Sequence, residues 1–236
     1  MAKIQFGNIV ADARNAVGGI VYSRNTWGAY IRQKVSPVQP RTPRQVSMRA
    51  NLTELSKRWG TVLTEQQREA WRQFAAAFPI VDVFGNTVAL TGIAAYQRVN
   101  RVRAILGLDP LDDPPANMDV VAPESITFDI SYAGTPPQLT FKVTFTPSPA
   151  PSGHHVEVWA TKGLSAGRAF VSSELRLVAV SPAGQASPYD FTQQYLARFG
   201  VPAPGQKVFV EVRFANSANG AQSRGLRAFD IVPPAP

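Results

Sequence analysis

The sequence predicts an α+β chain in which a helical region precedes an all-β region. Apolar residues recur at helical spacing between residues 42 and 108, whereas they alternate with polar residues after residue 125. Twenty prolines and seventeen glycines among 236 residues indicate many turns and extended connections. We therefore expect four segments: an extended basic arm (1–41), a helical domain with a β-hairpin (42–108), a linker (109–124) and a β-sandwich domain (125–236).

Positive charge is concentrated near the start of the sequence. The chain has a net charge of +8, and residues 1–49 hold eight Lys and Arg against a single acid, Asp12. Such an excess is typical of contact with nucleic acid or with an acidic protein surface. The absence of cysteine excludes disulfides and cysteine-ligated metal, and it suits a reducing cytoplasm. No apolar run approaches the roughly 20 residues of a membrane span, so we expect no membrane partner.

The arm is predicted to contain a loose hairpin. Residues 18–25 and 29–35 are rich in β-prone side chains, and the residues from Asn25 to Gly28 can form the turn between them. Three prolines follow, Pro37, Pro40 and Pro43. Because proline lacks the amide hydrogen of a β-ladder, this part is predicted to be polyproline-like.

The first helix has a clear start signal. Thr42 is a natural N-cap, Pro43 suits the first helical position, and Gln45 completes a capping box. Its apolar stripe consists of Met48, Leu52, Leu55 and Trp59. Gly60 is predicted to end this helix.

The second helix uses the same capping device. Thr64 caps it, Gln67 completes the box, and Pro79 stops it. Its apolar face consists of Ala70, Trp71, Phe74, Ala75 and Phe78. The two helices therefore predict an αα-hairpin with Trp59 and Trp71 in its core.

A short β-hairpin and a third helix complete the predicted helical domain. Gly85 and Asn86 supply the turn of a hairpin over residues 80–90, near Val81, Val83, Val88 and Leu90. Thr91 and Gly92 open the helix, and its buried stripe consists of Ala95, Val99, Val102 and Leu106. Three arginines lie off this stripe and are predicted to face mostly solvent: Arg98, Arg101 and Arg103.

After residue 125 the hydrophobic period is two. The alternating runs are residues 126–130, 139–145, 156–160, 174–180, 207–214 and 227–232. Six or seven short strands separated by turn signals predict an immunoglobulin- or fibronectin-like β-sandwich, with Trp159 as a core anchor. Residues 191–199 interrupt this pattern as a short helix.

Catalytic and metal-binding patterns are not found in the sequence. His154 and His155 are adjacent, so their side chains point to opposite faces of a strand and do not converge on one metal or substrate. Three nearby acids, Asp109, Asp112 and Asp113, alternate with prolines and favour a solvated linker over a calcium loop. We therefore expect a protein that is not an enzyme, with no catalytic residue, no cofactor and no metal.

The strongest candidate site is the predicted hairpin of the basic arm. Its candidate partner-binding residues are Arg24, Trp27, Tyr30, Ile31, Arg32 and Lys34. In a nucleic-acid interpretation the basic residues neutralise phosphates and the aromatic residues stack on bases. The apolar residues of the arm instead favour addition of a strand to the sheet of another protein. A third alternative is an arm that is buried in its own fold.

Spaced motifs in the first half of the chain carry a resemblance to a known group of proteins. They are G-x-V-Y-S-R-N-x-x-G-x-Y-I-R (19–32), P-V-x-P-x-T-x-x-Q (37–45), L-S-x-R-W (55–59), L-T-x-x-Q-R-x-A-W (63–71), G-N (85–86) and L-T-G-x-x-A-Y-x-R-x-N (90–100). Over residues 18–115 the chain resembles small virion structural proteins of tailed bacteriophages and prophages. The C-terminal region resembles the immunoglobulin-like modules attached to phage head and tail proteins.

The resemblance implies a role in a virus particle that is assembled in the host cytoplasm. We expect a head auxiliary or decoration (cement) protein that docks on the capsid through its N-terminal arm. The expected partners are the major capsid protein or other virion proteins, together with further copies of the chain in a homo-oligomer. A head–tail connector or tail component is one alternative, and a DNA-binding or packaging protein is another. The resemblance implies no specific site residues.

Overall fold

The α+β class predicted from the sequence is confirmed in a computed structural model. The structure describes residues 2–7, 10, 12–35, 39, 41–82, 84–135 and 137–234. Across these residues it contains four α-helices: α1 (Pro43–Thr61), α2 (Glu65–Ala77), α3 (Gly92–Ile105) and α4 (Thr192–Phe199). None of these helices is long and apolar enough to cross a membrane.

The strands form antiparallel sheets. They are β1 (Ala2–Lys3), β2 (Asn15–Val17), β3 (Ile20–Asn25), β4 (Gly28–Gln33), β5 (Ile80–Val81), β6 (Thr87–Val88), β7 (Ser125–Ala133), β8 (Gln138–Thr146), β9 (His154–Ala160), β10 (Arg176–Ala183), β11 (Tyr189–Asp190), β12 (Lys207–Asn216) and β13 (Leu226–Ile231). The sheet orders are β1-β4-β3-β2, β5-β6, β11-β8-β7 and β10-β9-β12-β13.

The predicted N-terminal hairpin is present as β3 and β4, with Asn25 paired to Gly28 across the turn. The sequence did not predict that β1 and β2 add one strand on each side of it. Residues 2–33 therefore contain a four-stranded sheet rather than only an extended arm with a loose hairpin. Pro37 and Pro40 lie outside the described residues.

Helices α1 to α3 pack around three aromatic residues. Trp59 and Trp71 both contact Tyr96, with ring centroids 5.6 and 5.4 Å apart, so the predicted core role of the two tryptophans is confirmed. Both predicted capping boxes are formed, and the Thr91 side chain accepts a hydrogen bond from the Ala94 N–H.

Two details of α1 differ from the prediction. Gly60 lies inside the helix, which continues to Thr61, because the intrahelical hydrogen bonds outweigh the modest helix-breaking tendency of one glycine. Leu52 is 38% exposed, so the buried part of the stripe is shorter than expected. The predicted β5–β6 hairpin is formed, and Val83 lies outside the described residues.

The predicted linker is docked rather than solvated. The Asp112 carboxylate pairs with Arg58 at 2.8 Å, and the Asp112 carbonyl accepts the Trp71 indole N–H at 2.7 Å. The Asn100 side chain is 1% exposed and bonds both the N–H and the carbonyl of Leu111. Sequence spacing did not indicate these contacts because the partners lie far apart in the chain.

The C-terminal region contains seven strands in two sheets that share one hydrophobic core. Alternate residues of β8, β9 and β12 point into it, as the period of two predicts. The prediction that Trp159 anchors this core is wrong. Val158 and Ala160 occupy the inward positions of β9, so Trp159 points to the other side, where the Arg213 guanidinium lies 5.2 Å from its ring centroid.

Candidate functional site

The candidate site is the N-terminal sheet, which we define as strands β1 to β4. Its centre is the β3–β4 hairpin, whose turn is closed by the Asn25 side chain accepting the Trp27 N–H at 3.0 Å. Gly28 follows with φ +103°, a backbone conformation that side chains rarely adopt. The tight turn therefore brings the basic and aromatic residues of both strands together.

The strand register determines which side chains share a face of this sheet. Residues paired across antiparallel strands lie on the same face, and neighbours along a strand alternate between faces. Val17 pairs with Ile20, and Tyr22 pairs with Ile31. Ala2 also pairs with Ile31, and Ala29 lies two residues before it. We call these six residues the apolar face.

Ala2, Val17 and Ile20 of the apolar face are exposed, and its other three residues are partly buried. Val17 is 69% exposed and Ile20 is 44% exposed. No residue that the structure describes between positions 2 and 42 is buried. A sheet is stable when at least one face packs on another layer. Among the described residues, no second layer covers the apolar face.

The six predicted partner-binding residues lie on one hairpin but not on one face. Ile31 belongs to the apolar face, and Arg24 lies at its end opposite Ala29. Tyr30 and Arg32 lie on the opposite face, whereas Trp27 is in the turn. Lys34 follows β4, and its N–H bonds the Gly19 carbonyl at 2.8 Å. The predicted partner-binding residues are therefore divided between two faces of the sheet, its turn and the residue that follows β4.

The opposite face is tied to the helical region through the β5–β6 hairpin. The Lys3 ammonium lies 2.9 Å from an Asp82 carboxylate oxygen, and it also lies within 6 Å of the Trp27 and Phe84 ring centroids. A cavity of about 310 Å³ lies between these residues. The contact fixes one end of the N-terminal sheet and leaves the apolar face free.

Backbone groups of the loop that follows Asp82 hold its carboxylate in place for this contact. Its side chain is 4% exposed, and it accepts hydrogen bonds from the N–H groups of Phe84 and Asn86 at 2.8 and 3.0 Å. The Lys3 hydrogen bond, helped by these backbone donors, lowers the pKa of Asp82 from 3.8 to about 2. Asp82 is therefore ionised at neutral pH and is a firm anchor for Lys3.

Sequence reasoning missed several residues of this surface. The sequence did indicate a hairpin at Val17 and Ile20, since these residues flank two glycines at a position suited to a turn. It did not indicate the contact between Lys3 and Asp82, because they are 79 residues apart and only the fold brings them together.

The chemistry of the surface suits binding of a macromolecule. Arg24, Arg32 and Lys34 have no ion pair among the described residues. Arg24 lies at the end of the apolar face, Arg32 lies on the opposite face, and Lys34 lies beyond the end of β4. In the described part of the chain, no group of three or more His, Cys, Asp or Glu is arranged to hold a metal ion. An apolar centre with a charged rim is the usual composition of a protein interface.

No protein-family model matches the chain, and a search of curated proteins finds no match.

Proposed function

We propose that this chain is a structural component of a tailed-phage virion, and specifically a head auxiliary or decoration protein. Its role is to bind rather than to catalyse. The N-terminal sheet docks on the major capsid protein or another virion protein, and the C-terminal region is an immunoglobulin- or fibronectin-like sandwich that extends from the docked part. The observation that carries the proposal is the uncovered apolar face of the N-terminal sheet. The motif resemblance within residues 18–115 supports the choice of a virion protein as partner.

The docking mechanism follows from the geometry of the sheet. The partner supplies the missing second layer over Val17, Ile20, Tyr22 and Ile31. An acidic residue of the partner pairs with Arg24 at the end of this face. Strand β2 is an edge strand whose three residues are all exposed, so a partner strand can also extend the sheet there. Fully burying one isoleucine side chain contributes roughly 1.5–3 kcal/mol. Because association costs about 4–15 kcal/mol, the apolar contacts have to act together with ion pairing and the added strand.

A matched pair of variants tests the docking surface. We expect Ile20→Lys to weaken binding to purified capsids by about tenfold or more, because it places a charge in the new core. Ile231→Lys is the control, since Ile231 is also a strand isoleucine with similar exposure, 47% against 44%. Cosedimentation of the full chain with capsids measures both. Equal binding by the two variants contradicts the proposed docking face.

The place in the particle is tested by abundance. Quantitative gel densitometry of purified virions compares this chain with the major capsid protein. Near-stoichiometric amounts are expected for a decoration protein, whereas a few copies per particle indicate a connector or tail component. A DNA affinity that collapses as salt rises, together with absence from the virion, favours the packaging alternative.

A further inference from the structure

A second potential site lies where the helical region meets the C-terminal sheet. A polar cavity of about 230 Å³ is lined by Arg98 and Arg101 of α3 and by Arg213 of β12. Gln222 and Ser223, in the segment between β12 and β13, complete its polar wall. Arg98 and Arg101 are exposed, as predicted. The sequence did not indicate that they also line a cavity, because the opposite wall comes from a distant part of the chain.

The walls of the cavity are held together closely. A side-chain carbon at Gly220 would lie only 2.6 Å from the Val99 carbonyl oxygen, so the β12–β13 segment presses directly on α3. The Arg103 guanidinium bonds the Ser217 carbonyl, and the Asn219 amide bonds the Asp119 carbonyl at 2.9 Å. The two walls that carry the three arginines are therefore held next to one another by packing outside the cavity.

The carboxylates near the cavity are already occupied. Glu211 accepts hydrogen bonds from Arg213 at 2.7 Å and from Arg227. Glu157 is fully buried and accepts the Gln222 amide at 2.7 Å. No carboxylate lines the cavity, so its charge is not balanced from within.

Two of the lining arginines are free to bind. Within the described residues, Arg98 and Arg101 make no ion pair and no side-chain hydrogen bond, and both remain accessible to solvent. Partial burial lowers the pKa of Arg98 because its surroundings disfavour an uncompensated charge. A bound anion would remove that penalty.

We propose that this cavity binds a doubly charged tetrahedral oxyanion, either free phosphate or the terminal phosphate of a monoester. Guanidinium groups donate paired, planar hydrogen bonds that match phosphate oxygens, and two unpaired arginines match a charge of about −2. A cavity of about 230 Å³ accommodates a phosphate group but not a nucleic-acid duplex. The anion ties α3 to β12 and so stabilises the junction between the helical and C-terminal regions. This inference is independent of the proposed role in the virion.

Titration of the full chain with inorganic phosphate tests the site. Isothermal calorimetry and ³¹P line broadening are measured in buffers where chloride keeps the ionic strength constant, because nonspecific screening must not mimic binding. We expect saturable binding with one phosphate per chain and a rise in melting temperature that chloride does not reproduce. Absence of saturation up to about 10 mM phosphate would overturn the proposal.

Variants locate the bound anion. Arg98→Gln is expected to weaken phosphate binding about tenfold, since it removes a charged hydrogen-bond donor. Arg49→Gln, which removes an exposed charge from α1, is the matched control and is expected to bind as the parent chain does. Equal loss in both variants would show a general charge effect and overturn the site. Tighter binding of a nucleoside monophosphate than of inorganic phosphate identifies the monoester as the source, and the reverse identifies the free ion.

Discussion

The N-terminal sheet and the C-terminal sheets share antiparallel strand pairing but differ in how far their side chains are buried. Both are antiparallel. Apolar and polar residues alternate regularly along the C-terminal strands, whereas β3 has three apolar residues in succession, Ile20, Val21 and Tyr22. In the C-terminal region, side chains from two sheets meet, and Phe141, Val156 and Val210 are all 0% exposed. In the N-terminal sheet, none of the described residues is buried. Antiparallel pairing is therefore accompanied by a buried core in one region and by a sheet without buried residues in the other.

The difference shows that strand pairing places side chains on a face but does not supply the layer that covers it. The C-terminal region has a second sheet within the same chain, whereas among the described residues the N-terminal sheet meets the small β5–β6 hairpin on its opposite face. In the C-terminal region, burial of apolar area stabilises the fold. In the N-terminal sheet, the apolar area is not buried and remains available for binding.

The largest expected change in the free energy of unfolding comes from replacing a buried aromatic residue of the C-terminal region, and it is compared with the same replacement in the N-terminal sheet. Phe141→Ala should lower the free energy of unfolding by roughly 3–5 kcal/mol, because Phe141 is fully buried and its ring lies 4.1 Å from that of Tyr195. Tyr22→Ala should cost about 1 kcal/mol or less, because Tyr22 is only half-buried. Urea denaturation measures both. Similar losses would mean that the N-terminal sheet has a core of its own, and the comparison would fail.

An intermediate loss of stability is expected when alanine replaces a glycine, and two glycines with similar backbone conformations are compared. Gly220 has φ +64° and faces the Val99 carbonyl, whereas Gly18 has φ +58° and has no atom within 4 Å of an added side chain. Alanine at either position incurs about 1–2 kcal/mol of left-handed backbone strain. Gly220→Ala should cost about 1–3 kcal/mol more, because it also overpacks the junction. Thermal unfolding of the two variants separates strain from packing, and equal shifts in melting temperature would refute the close contact.

The smallest effect concerns the attachment of the N-terminal sheet. Asp82 has a pKa lowered to about 2 in the fold against 3.8 otherwise, so its contribution to stability is present above pH 3.8 and is lost as the pH falls toward 2. Asp82→Asn should reproduce this loss at neutral pH and speed amide exchange in β1 and β4.

Hydrogen exchange with mass spectrometry measures the attachment directly. Asp12→Asn is the control, because Asp12 pairs only with Arg14 within the N-terminal region. Exchange in α3 should stay unchanged in both variants. If Asp12→Asn and Asp82→Asn accelerate exchange in β1 equally, the Lys3–Asp82 contact does not anchor the sheet.

The sequence predicted individual helices and strands better than it predicted which of them pack or pair with each other. Thr42, Thr64 and Thr91 marked the three helix starts correctly, because capping depends on residues within one turn. The strands after residue 125 followed from alternation, which is equally local. Strands β1, β2 and β11 were missed, since each has only two or three residues and pairs with a partner that its own sequence does not identify.

For the candidate site, the sequence predicted the hairpin and its charge but not its two faces. Tyr30 and Ile31 were grouped together by position, although adjacent strand residues point to opposite sides. Trp159 was assigned to the core because its size favours burial. Its position in the alternation of β9 instead places its side chain on the outward face.

The sequence by itself determined the α+β class, the helix caps, the period of two after residue 125 and the basic character of the first segment. These depend on interactions between residues that are close in the chain. Only the tertiary structure decided that the apolar face stays open, that Lys3 meets Asp82, and that arginines of α3 meet Arg213 around one cavity. Such features depend on packing between distant segments, where the geometry of the whole fold selects the neighbours.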